Sequence, residues 1–371
     1  MTTVHDLLEY ALAQKASDLM IKAGSPPILR VDGRVVLTEL PSMSAADCLE
    51  TVRSIQMAAG RDQLLNLEGQ PTKLEPAPEI SFLQPDERDY VFTIPNLVRV
   101  RANVFLQQGT LAAALRIVSL KPHSLDELGL PPILKDLALQ RGGLILVTGA
   151  TGSGKSTTLA ALVDHINHHR RCNVITIEDP IEYVFHDDQS VIYQREVRKD
   201  SPSFMSALHA VLRQTPDVIM VGEMRRQETM EATLMAAEMG HLVLSTLHTI
   251  SAPATVDRIL NAFPAQRQAQ ILAQLTTTLR GIVAQRLVQK KDGGRVAAVE
   301  VMTASPSVLK LIEDGQMGNL AATIREGGHY GMVSMNQSLE RLVRDDTITL
   351  DEAMASSPNP TELRQLLRQG A

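Results

Sequence analysis

The sequence has no tryptophan, and aromatic residues make up only 3% of its 371 positions. Base-stacking platforms are therefore poorly supplied, because single-stranded nucleic acids stack on aromatic side chains. The formal charge is −6, from 36 basic and 42 acidic residues, and no lysine- or arginine-rich block occurs. Since proteins that bind nucleic acids carry a basic domain or stripe, we expect no nucleic-acid partner.

Cysteine and long apolar runs are also scarce. The two cysteines, Cys48 and Cys172, are too few for a disulfide framework or a four-thiolate zinc site. No apolar run approaches the roughly 18–20 residues that a membrane-spanning helix needs. The first residues lack the basic segment and apolar core of a signal peptide. We therefore expect a cytoplasmic protein without direct membrane insertion.

The first third of the sequence predicts an α+β domain over residues 1–118. Apolar residues within 4–16 follow helical spacing, and Asp32 and Gly33 between two apolar runs are typical of a hairpin turn. Residues 119–134 contain three prolines and one glycine, a composition that predicts an interdomain linker.

The remainder, residues 135–371, predicts an α/β domain. Short apolar runs alternate with helical patterns, and the runs lie at 144–147, 173–177, 217–221 and 241–246. Uniformly apolar strands separated by helices indicate a parallel sheet that is buried on both faces. From about residue 264 the pattern predicts helices only, so a helical C-terminal region is expected.

The segment GATGSGKS at residues 149–156 matches the phosphate-binding pattern G-x-x-x-x-G-K-[ST] without a mismatch. Its glycines allow backbone N–H groups to face phosphates at the positive end of the following helix. Lys155 is expected to bind the β- and γ-phosphates of ATP, and the Ser156 hydroxyl to ligate Mg²⁺. The predicted nucleotide-binding residues are Gly149, Thr151, Gly152, Ser153, Gly154, Lys155, Ser156 and Thr157.

Several polar residues follow the predicted strands, where ligands of open parallel sheets bind. Glu223 is expected to orient the attacking water, and Glu178 and Asp179 are expected to reach Mg²⁺ directly or through water. His248 is placed to sense the γ-phosphate. Asp217 precedes its strand and is therefore interpreted as structural. Each of the others is open to a plainer interpretation, an ordinary polar residue at a strand end.

Three arginines of the first domain form a second candidate group. Arg99 and Arg101 point to one face of a predicted strand because side chains alternate with period two, and Arg116 lies on the next strand. They could form a solvated surface. They could equally act as fingers that reach nucleotide phosphate, an effect worth about 10³–10⁵ in rate. Spacing alone leaves both interpretations open.

Four segments together resemble the Walker A, Asp, Walker B and His boxes of secretion ATPases. These are GATGSGKS, TIEDPIEYV at 176–184, DVIMVGEMR at 217–225 and GHLVLSTLHT at 240–249. Three further segments are similar to the type IV pilus retraction ATPases, the PilT/PilU family: SDLMIKAGSPPILRVDG at 17–33, QREV at 194–197 and AFPAQRQ at 262–268. The likeness spans nearly the whole chain.

The resemblance implies a hexameric motor with an N-terminal PAS-like domain and a C-terminal RecA-like domain. ATP hydrolysis would drive pilus retraction and twitching motility, with an inner-membrane platform protein at the pilus base as partner. The chain would then be peripheral at the inner membrane. The family's roles fall on Glu223 as catalytic glutamate, Lys155 and Ser156 in the loop, Glu178 in the Asp box and His248 in the His box. Its N-terminal arginines fall on Arg99, Arg101 and Arg116.

Two sequence features distinguish between the types of ATPase that the chain resembles. Pilus-assembly and type II secretion ATPases carry an extra N-terminal domain and a paired-cysteine motif, so their absence favours retraction. The helical motif A-I-R-N-L-I-R-E of PilT-like enzymes corresponds to residues 307–314, where Leu309 and Glu313 replace its two arginines. This favours an accessory PilU-type ATPase. The alternatives are an assembly or secretion ATPase, and a non-motor ATP-binding subunit of another retraction ATPase.

Overall fold

The computed structural model describes residues 3–62, 87–94, 97–118 and 121–369. Its contacts divide the chain into two units, Met1–Lys121 and Pro122–Ala371. Among the described residues, no helix combines the length and the apolar character needed to cross a membrane.

In its described residues, the first unit is a six-stranded antiparallel sheet with two helices. Its elements are α1 Val4–Ala13, β1 Asp18–Lys22, β2 Ile28–Val31, β3 Arg34–Leu37, α2 Ala45–Asp62, β4 Arg88–Ile94, β5 Val98–Gln107 and β6 Thr110–Val118. The strand order is β3-β2-β1-β6-β5-β4. The predicted hairpin turn is confirmed, because Asp32 and Gly33 join β2 to β3 and both have positive φ.

Buried and more exposed residues alternate along these strands, so one face of the sheet is covered by the hydrophobic core. Leu19, Leu115 and Phe92 are almost completely buried and pack with Leu7 and Leu8 of α1 in a single core. The side chains between them in sequence point to the opposite face, as the period of two requires. Arg99 and Arg101 lie on that opposite face.

The second unit is built on a seven-stranded sheet with helices on both faces. Its elements up to the last parallel strand are α3 Ile133–Ala138, β7 Gly143–Thr148, α4 Lys155–His169, β8 Asn173–Glu178, β9 Val191–Glu196, α5 Phe204–Val211, β10 Val218–Val221, α6 Gln227–Glu238, β11 Leu242–Leu247, α7 Ala252–Leu260, α8 Ala265–Thr278 and β12 Leu279–Gln289. There follow β13 Arg295–Thr303, α9 Pro306–Glu313, α10 Leu320–Glu326, α11 Met335–Arg344, α12 Leu350–Ser356 and α13 Pro360–Gln369, with two short 3₁₀ helices at Met317–Asn319 and Gly328–Tyr330.

The sheet order is β13-β12-β7-β11-β10-β8-β9, and every neighbouring pair except β12 and β13 is parallel. All residues of β7, β10 and β11 are buried. Leu144 and Leu146 pack into one core, and Ile145 and Val147 into another on the opposite face. The predicted fold class, an N-terminal α+β domain followed by a mostly parallel α/β domain, is confirmed.

The prediction of helices alone after about residue 264 is wrong. Strands β12 and β13 form an antiparallel hairpin, and β12 also pairs with β7 at the edge of the parallel strands. Helix α8 ends at Thr278 and β12 begins at Leu279, so no glycine, proline or polar turn separates the two elements in sequence. Sheet pairing thus overrides the local helical pattern.

The predicted linker, residues 119–134, is largely part of the second unit. Leu125 and Leu130 are buried in the core that contains Ile145 and Val147. Leu134, in the first turn of α3, is completely buried. Only the residues up to Lys121 belong to the first unit.

Candidate nucleotide site

The glycine loop and three polar residues lie together at one edge of the parallel sheet. Strands β8, β10, β11 and β7 are neighbours in register, so their carboxyl ends lie side by side. The glycine loop 149–154 follows β7, and Glu178 is the last residue of β8. Glu223 lies two residues beyond β10, and His248 directly follows β11. This arrangement is the one that the sequence predicts.

The loop bends through conformations that only glycine adopts without strain. Gly149, Gly152 and Gly154 have φ values of +146°, +80° and +90°. Gly154 is the residue before α4, and Lys155 is its first residue. The Lys155 ammonium donates to the carbonyl oxygens of Gly149 and Ala150, each at 2.9 Å. Burial lowers its pKa, whereas the negative charge of Glu223 acts in the opposite direction.

His248 connects the lysine of the loop to Glu223. Its Nδ1 lies 3.5 Å from the Lys155 ammonium, and its Nε2 lies 3.2 Å from Glu223 Oε2. Because an ammonium can only donate, Nδ1 is the acceptor and the proton is on Nε2, which donates to the carboxylate. The other Glu223 oxygen forms an ion pair with the exposed Arg225. The structure therefore brings together Lys155, Glu223 and His248, as predicted, and adds Arg225.

Glu178 and Asp179 contact side chains other than Lys155, His248 and Glu223. The Glu178 carboxyl is buried, and its Oε1 accepts hydrogen bonds from Thr176 Oγ1 at 2.6 Å and Gln194 Nε2 at 3.2 Å. Burial raises the pKa of Glu178 to about 7, although these two hydrogen bonds and a third from the backbone N–H of Glu182 act to lower it. Asp179 forms an ion pair with Arg198 at 3.0 Å. Asp217 accepts from the backbone N–H of Asn173 at 2.8 Å, a structural contact at the opposite end of the strands.

Gln285 is a contact of the loop that the sequence did not predict. It lies on β12 with 2% of its surface exposed. Its Nε2 donates to the carbonyl of Ser153 at 2.6 Å, and its Oε1 accepts from Thr158 Oγ1 at 2.9 Å. Because the sequence pattern predicts helix where β12 lies, no sequence signal places this residue beside the loop.

A cavity of about 410 Å³ adjoins the end of the loop. Gly154 and Thr157 form its wall on the loop side, and Tyr183, Asp126 and Arg295 are among the residues that line the rest. The Tyr183 hydroxyl lies 3.0 Å from Thr157 Oγ1. The volume falls within the range of about 300–1,000 Å³ that is typical of small-molecule sites.

The three arginines of the first unit share one face of its sheet. Arg101 on β5 is directly opposite Arg116 on β6. Arg116 is paired with Asp18 at 3.2 Å, and Arg99 donates to the hydroxyl of Thr93 at 3.1 Å. Arg101 is exposed and has no acidic partner within the described part of the chain.

The loop geometry predicts a large cost for a side chain at its first glycine. In Gly149→Ala, the new Cβ would overlap the main-chain oxygen of Gln285 and lie 2.5 Å from Ser153 Oγ. We expect the free energy of unfolding to fall by about 2–4 kcal/mol, measured by urea denaturation with circular dichroism. Gly152→Ala is the matched control, because its φ is also positive but its Cβ meets only open space. It should cost about 1 kcal/mol; equal losses would contradict the packing argument.

A family model described as "Type II/IV secretion system protein" matches residues 84–305, which is more than half of the chain. The chain belongs to this secretion ATPase family. The type IV pilus retraction ATPase PilT of Pseudomonas aeruginosa is 37% identical to it over 96% of this chain and 98% of that protein. The type IV pilus ATPase PilU of the same organism is 36% identical over 98% of this chain and 91% of that protein.

A solved structure of a family member agrees with the fold. The crystal structure of the pilus retraction motor PilT with bound ADP superposes with a TM-score of 0.82 and 39% identity, covering 98% of this chain and all of that one. The resemblance to retraction ATPases is thereby confirmed, as is the prediction that this member of the secretion ATPase family is an ATPase.

Proposed function

We propose that the chain is a Mg-ATP-driven motor that powers type IV pilus retraction as a hexamer. One observation carries the proposal: His248 contacts both Lys155 and Glu223 at the carboxyl edge of the parallel strands. A cation for phosphate and a carboxylate for water are thus held together beside a glycine loop. The similarity to PilT and PilU, both named as pilus ATPases, supplies the cellular process.

The loop and the first turn of α4 would bind the phosphates. Backbone N–H groups of residues 149–154 and the helix N-terminus offer positive partial charge to the β- and γ-phosphates. Lys155, now bonded to carbonyl oxygens of its own loop, is within reach of the same region and supplies a full charge. Thr151, Gly152 and Ser156 are exposed at this surface.

Hydrolysis requires a group that orients water and accepts its proton. Glu223 has this role, with one carboxylate oxygen paired to Arg225 and the other to His248. These contacts hold the carboxylate in one orientation beside the loop. His248 then links the state of the phosphate-binding lysine to the carboxylate, which is the behaviour expected of a γ-phosphate sensor.

Mg²⁺ fits a site whose remaining ligands are phosphates and water. Within the described ranges, no group of three or more His, Cys, Asp or Glu side chains could hold a metal ion alone. Mg²⁺ commonly binds through one or two protein oxygens together with substrate phosphates and waters. The Ser156 hydroxyl suits direct ligation, and Glu178 and Asp179 suit contact through water. When bound, the ion neutralises charge on the β- and γ-phosphate oxygens.

The adenosine part of the nucleotide is assigned to the cavity beside Gly154 and Thr157. A nucleotide whose phosphates occupy the loop must extend past its end, and the cavity begins there. The cavity volume of about 410 Å³ and its mixture of apolar and polar walls suit a nucleoside.

Of the three arginines, Arg101 is the best candidate for a finger that supplies positive charge to the transferring phosphate. Its guanidinium is exposed and without an acidic partner among the described residues, whereas the charge of Arg116 is offset by Asp18. Arg116 and Arg99 would then orient Arg101 or add to the local positive potential.

The proposed location is the cytoplasmic side of the inner membrane at the pilus base, with the platform protein as partner. An accessory role on another retraction ATPase is the second candidate. It is favoured by α9, where Lys310 is paired with Glu313 at 3.2 Å and Asp314 at 2.9 Å. That surface is thus acidic and self-paired, where the PilT-like motif has arginines.

The test is ATP turnover per subunit as a function of protein concentration, with a complementation experiment. A self-assembling motor should show turnover that rises steeply with concentration. Arg101→Ala and Glu223→Gln should each be inactive alone, and mixing them should restore part of the turnover, because an oligomer can combine an intact arginine with an intact glutamate. Arg34→Ala, at another exposed arginine of the first unit, is the control and should keep full turnover.

Two results would count against the motor. Turnover near zero at every concentration, with ATP still bound, would favour the accessory role. Turnover that does not change with concentration, together with no recovery on mixing, would show that each copy works alone and would overturn the hexameric proposal.

A further inference from the structure

Gln285 is a buried polar side chain whose two hydrogen bonds both reach the phosphate loop and its helix. Its amide nitrogen bonds to Ser153 at the end of the loop, and its amide oxygen bonds to Thr158 in α4. Its main-chain oxygen packs so closely against Gly149 that no Cβ fits there. One residue of β12 therefore contacts the first turn of the loop, its last turn and the helix that follows.

The chemistry of the partners fixes the orientation of the Gln285 amide. A backbone carbonyl can only accept, so the NH₂ group must face Ser153. The oxygen then faces the Thr158 hydroxyl, which donates to it. A rotation of the amide by 180° would place two acceptors opposite each other at Ser153 and lose that hydrogen bond. The side chain is thus locked in one orientation, and 2% exposure leaves little access for competing water.

The bond to Ser153 also fixes a backbone donor. The C=O of Ser153 and the N–H of Gly154 belong to one planar trans peptide, in which they point in opposite directions. Holding the carbonyl toward Gln285 therefore turns the Gly154 N–H away from β12. Gly154 has φ +90° and no Cβ, so without this bond the Ser153–Gly154 peptide would rotate with little steric resistance. The peptide that follows is held separately, because the Gly154 carbonyl accepts from the Thr158 N–H at 3.0 Å.

We propose that Gln285 is a positioning residue for nucleotide phosphate: it aims the Gly154 N–H by holding the Ser153 carbonyl in place. This inference rests on the proposed nucleotide site and adds a residue to it. Gln285 itself need not touch the phosphates. Hydrogen bonds to charged groups are among the stronger ones, so a misdirected Gly154 N–H should weaken phosphate binding by about tenfold to a hundredfold.

The experiment measures binding of Mg-ADP and of Mg-tripolyphosphate, which has no base or ribose, by displacement of a fluorescent nucleotide. Gln285→Met keeps the length of the side chain but removes both hydrogen bonds. It should weaken both ligands by about tenfold or more and raise the KM for ATP by a similar factor, with kcat within about threefold. The unfolding temperature without ligand is recorded for every variant.

Gln285→Glu keeps the shape of the side chain and is the second variant. Its carboxylate would oppose the Ser153 carbonyl at pH 8, so phosphate binding should be weak there and recover as the carboxyl protonates at lower pH and can donate. Thr233→Val is the matched control for removing a buried polar group. The Thr233 hydroxyl is buried on α6 without a hydrogen-bond partner among the described residues, and its loss should leave both affinities unchanged.

The outcomes separate the inference from the function on which it rests. If both Gln285 variants bind tripolyphosphate within twofold of the wild type, Gln285 only supports the fold and the inference is overturned, whatever their unfolding temperatures. If the wild-type protein itself binds neither ligand, or Lys155→Ala binds them as well as the wild type, the proposed nucleotide site fails instead. If Gln285→Met does not fold, the pH dependence of Gln285→Glu decides.

Discussion

Replacing Glu223 by glutamine is expected to lower ATP turnover by about 10²–10⁴-fold, because the amide cannot accept a proton from the attacking water. Mg-ADP affinity should stay within about threefold of the wild type, since Glu223 is assigned to water rather than to the bound phosphates. The side chain keeps its size beside Arg225 and His248, so the fold should persist. Release of phosphate measures turnover, and displacement of a fluorescent nucleotide measures affinity.

Glu231→Gln provides the comparison for this change. Glu231 is also paired with an arginine, Arg267 at 2.7 Å, but it lies on the surface of α6. Loss of this ion pair should leave turnover within about twofold of the wild-type value. Exposed ion pairs contribute little to stability, and Glu231 has no assigned role at the nucleotide site. Turnover above one tenth of the wild-type value in Glu223→Gln would show that another group activates the water. Equal losses in the two variants would indicate a general effect of removing surface charge.

The second large effect is expected for stability rather than for turnover. Glu178→Gln should make the protein more stable than the wild type above pH 7, by on the order of 3 kcal/mol, and about equally stable below pH 4.5. The folded-state pKa of Glu178 is raised from 4.5 to about 7 because the carboxyl is buried. Between these two pH values the folded chain holds a proton that the unfolded chain has released. Stability is therefore lost as pH rises through this window.

The glutamine variant has no proton to lose, and its amide oxygen keeps the hydrogen bonds from Thr176 and Gln194, since both donors bond to the same oxygen, Oε1. The backbone N–H of Glu182 also bonds to the carboxyl, and loss of that hydrogen bond would reduce the gain in stability. Its free energy of unfolding should depend less on pH between 4.5 and 7 than that of the wild type. Urea denaturation followed by circular dichroism is suitable, because the sequence contains no tryptophan for fluorescence. A variant that is less stable than the wild type at pH 8 would refute the assignment of a buried, costly carboxylate.

If Glu178 serves Mg²⁺ through water, the same variant should lose turnover while it gains stability at pH 8. A buried acid that costs stability in its charged form is typical of a residue kept for function rather than for folding. Parallel measurement of both quantities in one variant distinguishes this from a purely structural glutamate.

The glycine loop and the meeting of Glu223 with His248 follow from the sequence because two strong rules apply. The loop pattern requires a strand before it and a helix after it, and ligands gather at the carboxyl ends of parallel strands. Neither rule predicts strand β12. Its residues Gln285 and Arg286 interrupt the apolar pattern, and no turn separates it from α8. The strand is therefore recognised only from its pairing with β7 in the structure. The ion pair of Arg225 with Glu223 likewise depends on a side-chain direction that spacing does not determine.

Strand β12 also links two parts of the chain that are far apart in sequence. Gln285 holds the phosphate loop, and the next residue, Arg286, donates to the carbonyl of Ser356 at the end of α12 at 2.8 Å. The backbone N–H of Gln289 donates to Glu352 on the same helix at 3.1 Å. A load applied to the C-terminal helices would thus reach the phosphate loop across a single peptide unit. Mechanical tension and nucleotide affinity would then be coupled. Pulling on α12 would alter the affinity for phosphate, and bound phosphate would make α12 stiffer.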